Sequence, residues 1–597
     1  MPEGPGRKVR FADLRSQLGT LVEPGNRWRW FVLVGLAVVG AGIEALGALV
    51  VFYLTNWLVG AETSGGIGQF LPSPESDELA TTVIVAIAVF FLIRGAFSLL
   101  LTWFQAKAVH MTAARISDRL FRRYLSAPYQ LYLKRNSTEL MRNALSSVEG
   151  VATRFLTPLV SVVTEAIVVL VLVVVLAVTA PLATLLVAAV LGVASLVVMR
   201  LVRSRLKKYG RQAEQATQTS LATIQQSFNE SRSIRILGRQ RYFADAFSSD
   251  RLDFAESRLY LAVYSKLPRV AIETLVFLLL VGFLSVISAV DAIGSIGVFG
   301  LFGYAALRIM PGLNQVVSGL NLMRYGQASI DNVIGDLRGE ETDLPDADVE
   351  RERLPWSVLS LDGVTFGYEP GAAAAVQEAN LTVTRGEVLG LVGQTGSGKS
   401  TLIDLILGLL EPTRGQIRVD GRALAEVRGG WQANLGLVPQ DIYLLDDSIL
   451  RNVAFGIPDE EIDRGRVDEC LRIAQLSDFV SNTSDGLETR IGERGTSVSG
   501  GERQRIAIAR ALYSSPSLLI LDEGTSAIDT VTEANLVREL KDSGSIDTVI
   551  VVSHRLSSLR ICDSIAIMDQ GRLVDRDDYD ALIARNSILS DLSRASG

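Results

Sequence analysis

EVLGLVGQTGSGKSTLIDLILGLL, residues Glu387–Leu410, decides how the C-terminal half of the chain folds. A short apolar run is followed by a glycine loop and then by a segment with helical spacing of its leucines and isoleucines. The loop fits G-x-x-x-x-G-K-[ST], with Gly393, Gly398, Lys399 and Ser400 at the fixed positions. Backbone N–H groups of such a loop cradle phosphates, the lysine reaches the β and γ oxygens, and the hydroxyl ligates Mg²⁺. The helix start adds the positive end of its dipole. The surrounding strand and helix are the context this motif requires, so the C-terminal half is expected to be an α/β phosphate-loop ATPase domain using ATP and Mg²⁺.

Three further strand ends belong to the same chemistry. Leu518–Leu521 is an apolar run closed by Asp522 and Glu523. Asp522 can hold Mg²⁺, and Glu523 is the candidate general base for the attacking water. VVSHR carries His554 to the end of another apolar run, suited to a γ-phosphate contact, and LGLVPQD carries Gln440 to the end of a third, within reach of Mg²⁺ or water. VSGGERQR, Val498–Arg505, reads as a capping box with Ser499 at the N-cap and Glu502 three residues on. The exposed N–H groups of Gly500 and Gly501 can also bind an anion. The chain's own phosphate loop already serves one nucleotide. A second copy related by a two-fold axis would let each glycine pair close over the other copy's γ-phosphate.

The N-terminal half reads differently. Of 597 residues, 48% are hydrophobic and 21% charged, and the two kinds of sequence are segregated along the chain. A membrane span needs about 20 apolar residues. Six are read, centred near Trp30–Leu58, Leu79–Phe104, Leu156–Val178, Leu182–Val202, Ala271–Val290 and Ile296–Val317. Lys and Arg cluster before the first span, after the second and between the fourth and fifth, which places those loops, both termini and the ATPase domain in the cytoplasm. The first 27 residues have no apolar core, so no cleavable leader is expected. The expected division is a cytoplasmic segment 1–27, an all-α transmembrane domain 28–335, an acidic linker 336–356 containing Pro345, and an ATPase domain 357–597. Two inward excursions, about 128–136 and 232–243, are either solvated helices or contacts that carry motion from the soluble half to the spans. The net charge of −7 decides little, and two cysteines and two histidines argue against disulfides and a zinc site.

Glu44, Arg94, Glu165, Glu273 and Arg308 lie inside the spans. Each costs roughly 3 kcal/mol on insertion scales, so each needs a partner or a polar cavity. Either they pair between spans, as Glu44 with Arg94, or they line a path for a charged cargo.

Six spans followed by this ATPase domain resemble an ABC exporter half-transporter, over nearly the whole chain. The resemblance implies a domain-swapped homodimer. It makes Tyr368 the aromatic residue that stacks on adenine, and Gly393, Gln394, Thr395, Gly396, Ser397, Gly398, Lys399, Ser400 and Thr401 the Walker A loop. Gln440 matches the Q-loop glutamine. Ser499, Gly500, Gly501 and Glu502 match the signature motif, although VSGGE stands where LSGGQ is usual. Asp522 and Glu523 match the Walker B acid and catalytic glutamate, Ser526–Asp529 the D-loop, and His554 the switch histidine. GERG, Gly492–Gly495, resembles the exporter loop that meets the inward helical tips. Within the membrane half, APYQLYLKRNSTELMRNALSSVEGVATRFLTPLVSVVTEA and NESRSIRILGRQRYF are similar to bacterial flippases for lipid-linked oligosaccharides. That likeness implies a polyprenyl-pyrophosphate cargo in a bacterial inner membrane, with Arg94, Arg269 and Arg308 as its counter-charges. The expected partners are a second copy of the chain and a membrane lipid or lipid-linked substrate, not nucleic acid. A drug or lipid exporter, an ATP-gated channel and an ATP-dependent sensor are the competing readings.

Overall fold

The computed structural model describes residues 17–58, 77–290, 296–338, 352–369, 371, 373–492, 495, 497–522, 539, 546–553 and 559–585. They form two compact units, one of residues 1–125 and 137–342, the other of residues 126–136 and 343–597.

The first unit is helical. Its long elements are α1 (Arg27–Leu58), α2 (Asp77–Ser126), α3 (Ser137–Thr179), α4 (Pro181–Asn229), α5 (Gln240–Val290) and α6 (Ile296–Tyr325), with a shorter α7 (Gln327–Leu337) after them. Pro181 opens α4, where its missing N–H costs nothing. Helices within Pro24–Asn56, Ile84–Ser126, Ser137–Thr179 and Pro181–Asn229 are long and apolar enough to cross a membrane. The other two expected spans fall within α5 and α6. Residues 59–76, which include the apolar stretch GIGQFLP (66–72), lie outside the described residues.

α6 packs between α1 and α3, around a core that includes Ala41, Ala48, Leu172, Leu301 and Ala305. Small residues permit the approach: a Cβ on Gly300 would stand 2.6 Å from Thr55 Cγ2, and one on Gly319 2.5 Å from Val162 Cγ2. α4 and α5 pair with each other along their length. α3 contains two π-helical turns, Asn143–Ser147 and Ala152–Leu156, each of which advances the helix face by one extra residue. α7 lies against this stretch. Asp336 on α7 accepts hydrogen bonds from Tyr124 Oη (2.6 Å) and Asn143 Nδ2 (2.9 Å), and Leu337 O accepts from Arg123 Nη1 (2.8 Å).

The second unit is α/β. A four-stranded sheet runs in the order β2 (Val376–Thr384), β1 (Val358–Phe366), β4 (Arg414–Val419), β5 (Arg422–Ala423), all antiparallel. A six-stranded sheet runs β10 (Arg572–Asp577), β9 (Ser564–Asp569), β3 (Val388–Gly393), β8 (Thr548–Val552), β7 (Leu518–Asp522), β6 (Leu435–Val438). Every pairing in it is parallel except β10 with β9. The central strands are apolar on both faces, as a covered parallel sheet requires.

The segment read as a linker is folded at both ends. Asp336 and Leu337 complete α7, because the apolar spacing continues to Leu337. Trp356 is fully buried against Trp431 at 5.3 Å between ring centroids, and its indole N–H donates to Ser517 Oγ (2.9 Å). Residues 339–351 lie outside the described set.

Candidate nucleotide site

In a parallel sheet, the loops after the C-terminal strand ends gather along one edge, which is where ligands of open α/β folds bind. β3, β6, β7 and β8 share one direction, so Gly393, Gln440, Asp522 and Ser553 meet at that edge. The register aligns them: Val438 pairs with Leu521, Asp522 with Val552, and Leu391 with Val552.

The phosphate loop is closely fitted. A Cβ on Gly393 would come within 2.2 Å of Met568 O, and one on Gly398, where φ is +100°, within 2.3 Å of Ala375 O. Glycine is therefore required at both positions. α8 (Lys399–Ile406) begins directly after Gly398. Lys399 is buried, and its ammonium donates to Gly393 O (2.8 Å) and Gln394 O (3.0 Å) across the loop. Ser397 Oγ is buried with no hydrogen-bond partner. A tight glycine loop, a buried ammonium held by loop carbonyls and an unmatched hydroxyl fit a phosphate. Ser400, Asp522 and Gln440 supply hydroxyl, carboxylate and amide oxygens, the hard donors that suit Mg²⁺.

Tyr368 follows β1, half exposed, edge-on to Phe366, with its hydroxyl 3.0 Å from Thr401 Oγ1. It thus stands beside α8, partly open to solvent. Asp404 on α8 was missed by sequence reading. Burial, and then the negative charge at Asp522, push its carboxyl up to about 6. Tyr129, just before the short helix Gln130–Lys134, belongs to this same unit. Its phenol is pushed up by burial and then by the charges of Asp404 and Tyr368. The first inward tip therefore lies by α8. Ile236 and Tyr242 at the second tip are exposed.

α9 (Gly500–Tyr513) starts with the capping box expected from sequence. Glu502 N donates to Ser499 Oγ (3.3 Å), and Ser499 N (2.7 Å) and Oγ (2.8 Å) both donate to Glu502 Oε2. The Glu502 carboxylate is thereby held back at the helix start. Glu523, Asp529, His554, and Glu493 and Arg494 of GERG lie outside the described residues.

Four of the five charged residues expected inside the spans, Glu44, Arg94, Glu165 and Arg308, form one network. Arg94 donates to Glu44, Arg308 bridges Glu44 and Glu165, and the Tyr304 hydroxyl donates to Glu44. Sequence reading found the Glu44–Arg94 pair and missed Tyr304. The available signal was its place one turn before Arg308 on the same helix face. Arg269 stands apart from this cluster, paired with Glu273 one turn along α5 (2.7 Å).

Residues 30–309 match the family model described as ABC transporter transmembrane region, and residues 376–526 the model described as ABC transporter. The chain is an ABC transporter. It is 29% identical over 599 residues to an ATP-dependent lipid A-core flippase of Ralstonia nicotianae, covering 99% of this chain and 96% of that one. A protein of the same description from Cupriavidus metallidurans is 31% identical over 405 residues, covering 66% and 67% of the two chains. Among solved structures, a bacterial Atm1-family ABC exporter with ATP bound superposes with a TM-score of 0.76 at 22% identity, over 96% of this transporter and 98% of that chain. The transporter thus has the exporter fold, a helical membrane domain joined to an α/β ATPase domain, and couples ATP hydrolysis to transport.

Proposed function

We propose that this transporter is an ATP-driven flippase moving a lipid with a phosphate-bearing polar headgroup from the inner to the outer leaflet of a bacterial inner membrane, working as a homodimer. The observation that supports the reading is the cavity of about 310 Å³ inside the helical unit, largely apolar in its lining but with Arg94, Arg308, Glu44 and Glu165 on it. Relatives described as lipid A-core flippases, similar over the whole chain, support a lipid cargo. The similarity to a multidrug transporter of Emericella nidulans spans 41% of this chain and 20% of that protein, too little to argue for a drug. A polyprenyl-pyrophosphate oligosaccharide is the finer candidate. Its two phosphates would need Arg94 and Arg308 released from Glu44 and Glu165.

The ATPase roles follow the sheet edge. The loop from Gly393 to Thr401 holds the phosphates of ATP, Lys399 turning from the loop carbonyls to the β and γ oxygens. Tyr368 stacks on adenine. Ser400, Asp522 and Gln440 would hold Mg²⁺, which would supply charge neutralisation at the transferring phosphoryl group. Glu523 orients and deprotonates the attacking water, and His554 contacts the γ-phosphate. Ser499, Gly500 and Gly501 close on the nucleotide of the second copy, with Asp529 beside them. ATP favours the closed dimer and so shifts the membrane half between two states, and hydrolysis resets it.

The test is transfer of a headgroup-labelled phosphoglycolipid in proteoliposomes. ATP should raise the fraction accessible in the opposite leaflet, and Glu523→Gln should lower turnover by about 10²-fold or more. Turnover without ATP-dependent transfer of any phosphate-bearing lipid would overturn the reading.

A further inference from the structure

The cavity inside the helical unit lies among α1, α2, α3 and α6. Four of its lining residues are of charged type, two acidic (Glu44, Glu165) and two basic (Arg94, Arg308), matched two against two. Arg94 donates through Nε (3.2 Å) and Nη2 (2.9 Å) to the Glu44 carboxylate. Arg308 donates through Nε to Glu44 Oε1 (3.0 Å), and through Nη1 (2.8 Å) and Nη2 (3.3 Å) to Glu165. The Tyr304 hydroxyl completes the shell of Glu44 at 2.9 Å. His110 is the remaining imidazole on the lining, and the neutral pair Gln105–Thr164 is joined at 3.0 Å.

A balanced quartet sets a condition on the ligand. A purely anionic headgroup that takes a guanidinium leaves Glu44 or Glu165 without its counter-charge in low dielectric. Breaking such a pair from one side leaves the other charge uncompensated and is strongly unfavourable. A headgroup bearing both a phosphate and an ammonium avoids that cost. Its phosphate takes over guanidinium donors while its ammonium takes over the released carboxylate, so two internal pairs become two pairs with the ligand. The bidentate geometry that Arg308 now offers Glu165 is the geometry guanidinium offers phosphate.

We infer that the transporter selects zwitterionic lipid headgroups, with Arg94 and Arg308 receiving the phosphate and Glu165 and Glu44 the ammonium. This rests on the lipid-export reading and narrows its cargo. The depth agrees. Counted from the helix ends at Leu58, Thr179 and Ile296, Glu44, Glu165 and Arg308 lie roughly 18–21 Å along their helices at 1.5 Å per residue, and Arg94 lies roughly 26 Å from Asp77. In a hydrocarbon core about 30 Å thick that is nearer the inner leaflet. A cavity of about 310 Å³ is at the small end for ligand sites, so it receives a headgroup while the chains remain among the helices.

The experiment compares ATP turnover of the solubilised full chain on adding phosphatidylethanolamine or phosphatidylglycerol of identical acyl chains. Wild type should respond at lower concentration to phosphatidylethanolamine. Glu165→Gln, which leaves the quartet one positive charge in excess, should shift the ratio of half-stimulating concentrations toward phosphatidylglycerol by on the order of tenfold. Phosphatidylglycerol acting as well as or better than phosphatidylethanolamine on wild type overturns this inference and leaves lipid export standing. An equal loss for both lipids in Glu165→Gln assigns the quartet to helix packing and also overturns it. No response to either lipid, with no transfer of either, overturns both readings together.

Discussion

A methyl group on Gly398 has nowhere to go. The carbonyl of Ala375 lies 2.3 Å from where it would stand, and φ of +100° is closed to any residue with a Cβ. Gly398→Ala should therefore abolish nucleotide binding, measured with a fluorescent ATP analogue, and displace the start of α8. Gly396→Ala, in open space but at φ +81°, should weaken binding by a smaller factor. Glu387 gives the pH counterpart. Burial alone would raise its carboxyl, but Ser564 Oγ (2.6 Å), the Thr384 N–H (3.1 Å) and the Arg576 guanidinium outweigh burial and hold it below the usual carboxylate range. A carboxyl lowered in the folded state stabilises fully above its unfolded value of about 4.3 and loses that contribution as pH falls through the folded value. Glu387→Gln should lower stability at pH 7 by about 1–3 kcal/mol. The gap to wild type should narrow as pH falls below about 4.3 and through the folded value in thermal unfolding of the solubilised chain; a gap that does not narrow with acid would remove the charge from the explanation. At this scale the phosphate loop was plain in the sequence, because its glycines and lysine are adjacent. Asp404, Tyr129 and Tyr304 were not, because each gains its meaning from a residue far away in sequence.

Among the elements, α7 is held by a device that composition does not reveal. Its Asp336 receives Tyr124 from α2 and Asn143 from the first π-turn of α3. The extra residue of a π-turn shifts the phase of a helix without altering which residue types are present, so periodicity shows one long helix. Gly150 and Gly326 let α7 close in: a Cβ on the first would stand 2.6 Å from Ser329 Oγ, and one on the second 3.0 Å from Arg154 Cβ. Asp336→Ala leaves two donors without their acceptor and should cost about 1–3 kcal/mol, whereas Tyr124→Phe removes one bond and should cost about 0.5–1.5 kcal/mol. Thermal shifts of the two variants and of the double variant check this. Additive losses would mean that the residues do not share Asp336 as a common partner. The α9 capping box shows the contrast, since Ser499 and Glu502 meet within one turn and were legible as a pair. Trp356 shows the opposite limit. A lone tryptophan after an acidic stretch gives no periodic signal, and its place against Trp431 depends on a residue 75 positions away.

For the whole molecule, the proposed homodimer makes a prediction that a single chain cannot satisfy. In a two-fold arrangement each nucleotide is gripped by the phosphate loop of one copy and by Ser499, Gly500 and Gly501 of the other. Lys399→Ala destroys a phosphate loop and spares the glycine pair; Gly501→Asp does the reverse by placing a carboxylate where phosphate should sit. Each variant alone has no intact site. Mixed at equal amounts before assembly, half of the dimers contain one of each. In those dimers the intact loop of the Gly501→Asp chain faces the intact glycines of the Lys399→Ala chain. About a quarter of the wild-type level of occluded nucleotide should return, retained through rapid gel filtration with Glu523→Gln present throughout to stop hydrolysis. Were the glycine pair to serve its own chain's loop, the mixture would hold no more nucleotide than either variant. Occlusion is the better readout than turnover, because one closed site suffices for it even where two are needed to drive the membrane half. Subunits tagged differently and purified through both tags isolate the mixed dimers, and in that fraction occlusion should rise to about half of wild type.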